Sequence, residues 1–67
     1  MKFGHTLKMY QVWKGVTAPD LAKRMGVASQ QIYRWHKCED AKLSVILKVC
    51  EELDVDLWEF LDAVLDD

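Results

Sequence analysis

The sequence predicts an all-α fold of five short helices. Three observations carry that prediction. Apolar residues recur at steps of three and four along the chain, with no alternating stretch that would read as a strand and no internal repeat. Thr17 and Asp56 are each followed three places on by an acidic residue, Asp20 and Glu59, which is the pattern of a helix start that caps its own amides. Gly15 and Gly26 stand where a left-handed residue would stop a helix.

Leu7 and Tyr10, with Trp13 or Lys14 after them, define a first helix that ends at Gly15. The second runs from a Thr17 cap to about Met25. Its first turn tolerates Pro19, because the first amides of a helix have no partner inside it. The third runs from about Ser29 to His36, with Ile32 and Trp35 inward and Val27 leading in. Tyr33 and Trp35 cannot share a face, so Gln30, Tyr33, Arg34 and Lys37 are left outside. The fourth spans about Ala41 to Leu53, with Leu43, Ile46, Leu47, Cys50 and Leu53 as its apolar face. The fifth starts on Asp56 and carries Leu57, Phe60, Leu61, Val64 and Leu65. Trp13 and Trp58 are read as packing residues rather than as a stacking platform.

The stretch Thr17 to Trp35 is the most informative. Leu21, Ala22 and Met25 form an apolar stripe, Gly26 and Val27 interrupt it, and Ile32 and Trp35 resume it. Two short helices joined by so tight a turn, with a glycine in it, are the helix-turn-helix pattern. The second of the pair then presents polar residues that can enter a DNA major groove.

Composition bounds the rest. The 67 residues make one domain, residues 1–67, and 51% of them are apolar, which points to a packed core rather than disorder. No apolar run approaches the roughly 20 residues that span a bilayer, and no signal-peptide core is present at the start, so a cytoplasmic protein is expected. Cys38 and Cys50 form no disulfide framework, and Cys50 is expected to be buried. The net charge of −2 hides an asymmetry. Residues 1–37 hold seven cations against Asp20, for +6, while residues 38–67 hold Lys42 and Lys48 against ten carboxylates, for −8. One end is thus suited to a polyanion. The sequence pI of about 5.6 is low for a nucleic-acid binder and weighs against it. The acidic tail of Asp62, Asp66 and Asp67 reads as solvating.

The ordered set Thr17, Leu21-Ala22, Met25-Gly26-Val27, Ile32, Trp35, Leu43, Leu47, Leu53, Val55, Leu57 and Leu61 resembles the lambdoid-phage repressor/Cro family, also called XRE-type, over about residues 6–62. The resemblance implies a five-helix repressor/Cro-like domain with helix-turn-helix at helices two and three. It also implies a dimer that binds a near-palindromic operator in double-stranded DNA and regulates transcription, most often as a repressor of a phage or prophage. Carried onto this chain, the base readers are Ser29, Gln30 and Arg34. Glutamine pairs bidentately with adenine and arginine with guanine, each contributing roughly 1–3 kcal/mol of discrimination. Lys37 and Lys42 fall near the loop where the family meets the phosphate backbone, and Gln31 and Tyr33, which flank the reading surface, are expected with Thr17 to contact phosphate too, which positions without specifying sequence.

The chain departs from that pattern at several places. Ala18 replaces a glutamine that contacts DNA in the family. Ala28 replaces the usual Ser or Thr before the recognition helix, so Ser29 is expected to take over as cap. Cys38 replaces the glycine that ends that helix, so the terminus is expected to close differently. Gln11 and His36 replace an arginine–glutamate pair, and a neutral Gln–His hydrogen bond is expected instead. For the dimer surface the fifth helix is the candidate, through Phe60, Leu61, Val64 and Leu65, against the simpler reading that all four are buried in the monomer.

Other chemistry is not indicated. His5, His36, Cys38 and Cys50 lack the close pairs of a zinc site. No nucleophile–base set, phosphate-cradling glycine loop or HExxH is present, so neither an enzyme, a cofactor nor a small-molecule substrate is expected. A second reading is a protein-interaction module that keeps the scaffold and loses DNA, such as an antirepressor or adaptor. Ala18, the low pI and the acidic second half favour it. An antitoxin is a third, which the short chain makes less attractive.

Overall fold

In a computed structural model that describes residues 1–66, five helices follow one another without a strand. Asp67, counted above with the acidic tail, lies outside the described residues. The helices are α1 (Phe3–Lys14), α2 (Ala18–Met25), α3 (Ser29–His36), α4 (Leu43–Leu53) and α5 (Leu57–Leu65).

Their ends follow from local chemistry in some places and from distant partners in others. At α2 the capping box forms in full. The Asp20 amide donates to Thr17 Oγ1 at 3.2 Å, and the Thr17 amide donates to Asp20 Oδ2 at 3.3 Å. Gly15 and Gly26 terminate α1 and α2 at φ of 67° and 70°, the left-handed region that only glycine enters freely. Asp56 caps α5 alone. Its Oδ1 accepts from the amides of Trp58 and Glu59 at 2.8 and 3.1 Å, and the described bonds include no return arm from Glu59, so the second box is only half made.

The start of α1 was not expected. It begins at Phe3, a full turn before Leu7, with no side-chain cap. Remote carbonyls do the capping. The amides of Lys2, Phe3 and Gly4 donate to Val64, Glu39 and Cys38 at 2.8, 3.0 and 2.8 Å. Gly4 makes this approach possible, since a Cβ there would sit 2.6 Å from the Trp35 carbonyl oxygen and against the His36 carbonyl.

The start of α3 corrects an expectation, and its end closes differently from the glycine stop of the family, as expected. Ala28, not Ser29, occupies the cap position and makes no side-chain bond, so Ser29 is the first helical residue. The helix closes at Lys37 in a right-handed conformation, φ −96°, and Cys38 carries no left-handed strain.

Helix α4 starts at Leu43 rather than Ala41, and its inner face is Ile46, Val49, Cys50 and Leu53. Leu43 (59% exposed) and Leu47 are largely outside. Both stripes satisfy a three-four spacing, and packing decides between them. α2 packs on α4, where Arg24 Nη1 donates to the Glu52 carbonyl at 3.1 Å, and Val49 is fully buried in the core.

The core gathers Phe3, Leu7, Leu21, Ile32, Leu53, Phe60 and Val64, all fully or almost fully buried. Phe60 is its centre, stacked on Tyr10 at 5.5 Å and edge-on to Phe3 at 6.1 Å. The two outer tryptophans are not packing residues. Trp13 (65% exposed) only leans edge-on to Tyr10, and Trp58 is 72% exposed. Each closes or starts a short helix at the rim, where no neighbouring element reaches over it.

Candidate nucleic-acid interface

The orientation of α3 sets the interface. Ile32 is fully buried, and Trp35 packs half-buried against the same core. With that side fixed, Gln30, Tyr33, Arg34 and Lys37 are all exposed and share one outward stripe at steps of three and four. Ser29 and Gln31 sit half-buried on its two flanks. Tyr33 therefore stands between Gln30 and Lys37 on the stripe itself, rather than beside it.

Two networks hold this helix. His36 Nε2 lies 2.6 Å from Gln11 Oε1, joining α3 to α1 through a half-buried contact. Gln11 Nε2 donates to the Val16 carbonyl at 3.2 Å, which leaves Oε1 as the acceptor and places the His36 proton on Nε2. The expected Gln11–His36 hydrogen bond is thus present. Burial, and then the nearby Lys8 ammonium, hold the imidazole below its ordinary value of 6.5. At the other flank Arg34 Nη2 donates to Gln31 Oε1 at 2.9 Å.

The cations are divided between two tasks. Lys14 Nζ and Arg24 Nη1 donate to the carbonyls of Asp54 and Glu52 at 3.1 Å each. They cap the C-terminus of α4, which has no cation in its own last turn, and so counter its negative dipole end. Lys37 and Lys42 are exposed beside α3. Lys42 borders a cleft of about 430 Å³ shared with Gln31, Arg34, Cys38 and Asp40. Thr17 is exposed, though its hydroxyl is engaged as the cap of α2.

Lys8 was missed. It borders a groove of about 420 Å³ with Val12, Thr17, Ala18, Tyr33 and His36, on the α1 side of the outward stripe. For the dimer candidates the placement is split. Phe60 and Val64 are interior and cannot meet a partner in this fold, Leu61 is half-buried, and Leu65 is 60% exposed.

Burial raises the Cys50 thiol to about 11, with Asp56 adding to the effect, so it is an inert core residue. Among the described residues no three His, Cys, Asp or Glu side chains cluster as metal ligands, and no helix is long and apolar enough to cross a membrane.

The geometry of α2 and α3 can be set beside the comparison with known families. The Cro/C1-type HTH DNA-binding domain matches residues 7–66. The chain belongs to that family. No curated protein matches it. As a Cro/C1-type domain the chain is a DNA-binding regulator, and α2 and α3 are its helix-turn-helix.

Proposed function

We propose that this Cro/C1-type domain is a sequence-specific regulator of transcription that binds a near-palindromic operator as a homodimer, in the manner of a Cro-like repressor of a phage or prophage. The observation that carries the reading is the outward stripe of Gln30, Tyr33, Arg34 and Lys37 on a helix whose opposite side Ile32 fixes to the core. Laid in the major groove, α3 offers Gln30 to adenine and Arg34 to guanine, with Ser29 at the entering end. Tyr33 on α3 itself, and Lys8, Thr17, Lys37 and Lys42 around it, meet phosphate. Two copies set about 34 Å apart present α3 to successive turns of the groove.

Selection of bound sites from random duplexes tests this. A consensus of two half-sites is expected. Arg34→Ala should then relax preference at one base pair by about 1–3 kcal/mol, whereas Lys37→Ala should weaken all duplexes alike and reduce the salt slope by about 1. A purified protein indifferent to every duplex at low ionic strength would overturn the reading. It would leave the interaction-module alternative, which the exposed Trp58 and the Ala18 substitution favour.

A further inference from the structure

The bond between Arg34 and Gln31 gives Gln31 a role other than the phosphate contact expected for it. We infer that Gln31 is a positioning residue, which holds the Arg34 guanidinium in the orientation that reads a base. This rests on the functional reading above.

Arg34 is exposed on the outward stripe, on a side chain that is otherwise free to sample many rotamers. A bidentate contact to a guanine edge needs two of its N–H groups in one plane at one angle. Gln31, one turn back and half-buried on the flank toward α4, accepts from Nη2 at 2.9 Å and removes much of that freedom. The chemistry of the acceptor matters. Asp40 borders the same cleft, yet among the described residues the ion pairs belong to Lys48 and none to Arg34. The guanidinium is therefore held by a neutral amide, which fixes one N–H and leaves the positive charge and four further N–H groups for the DNA. A carboxylate in the same place would fix the group and also cancel its attraction to a polyanion.

Gln31→Met tests the inference, because it keeps the length of the side chain and its helix preference but removes the acceptor. Preference at the base pair that Arg34→Ala relaxes should fall about three- to tenfold, the range of one hydrogen bond. Affinity for random duplex should be unchanged, and Gln31→Met should add nothing in the Arg34→Ala background. Gln31→Glu should keep the preference, since it retains an acceptor, while weakening all duplexes together. In the free protein, Gln31→Met should speed exchange of the Arg34 guanidinium protons. An equal loss on all duplexes that persists in the Arg34→Ala background, with a shallower salt slope, would make Gln31 a phosphate contact and overturn the inference alone. A wild-type protein that binds no duplex would overturn the functional reading and the inference with it.

Discussion

His36 is where a single residue carries both packing and pH dependence. Its imidazole donates to Gln11 and is held below 6.5 by burial and by Lys8. An imidazole of depressed basicity in the fold binds protons more readily once the chain unfolds. Stability is therefore at its full value above the ordinary imidazole range, and it falls as the pH drops below that range toward the folded value. Urea unfolding followed from about pH 8 to about pH 5 should show this loss, and His36→Gln should flatten that part of the profile. An unchanged profile would mean that His36 is solvated. Gly4 makes the opposite kind of demand, for the absence of atoms. A methyl group there must displace the Trp35 and His36 carbonyls, and with them the bonds from Phe3 and Gly4 that seal the start of α1. Gly4→Ala should lower stability by about 1–3 kcal/mol in denaturant titration, despite the better helix propensity of alanine.

At the scale of the helix, one terminus holds a removable cost. Asp54 ends α4 in the left-handed region, φ 55°, the one non-glycine to do so among the described residues. Asp54→Gly leaves the carbonyl that Lys14 holds and relieves the Cβ strain, so it should raise stability by up to about 1 kcal/mol, measured by thermal unfolding. The helices also show what the sequence makes legible. The Thr17–Asp20 box and the stops at Gly15 and Gly26 are local, and each was readable within four residues. The outward side of α3 was readable for the same reason, because Ile32 and Trp35 lie one turn apart and fix its rotation. The start of α1 was not, since its partners are Cys38, Glu39 and Val64. The inner face of α4 was readable in part: Ile46, Cys50 and Leu53 are buried as the spacing implies, but Val49 and Leu47 extend that stripe equally well and only packing buries Val49. The Gln31–Arg34 bond was not readable, because it depends on rotamers that no periodicity encodes.

At the scale of the molecule, the burial of Phe60 and Val64 narrows the dimer surface proposed for α5. The apolar positions that α5 leaves outside are Trp58 and Leu65, with the edge of Leu61 between them, spaced on one face of the helix. Asp62 and Asp66 flank that stripe, and the second half of the chain is strongly acidic. Two copies joined here would bring like charges together over an apolar seam. Salt should therefore act in opposite directions on the two associations of this domain. Binding to duplex should weaken as ionic strength rises, because counterions compete for phosphate. Self-association should strengthen, because screening shortens from about 30 Å at 0.01 M to about 3 Å at 1 M and removes the repulsion. Sedimentation equilibrium across that range should show a dimer that tightens with salt, and Leu65→Glu should leave a folded monomer at every ionic strength. A wild-type protein that stays monomeric in high salt would confine dimerisation to the DNA, where two adjacent half-sites, and not α5, would hold the copies together.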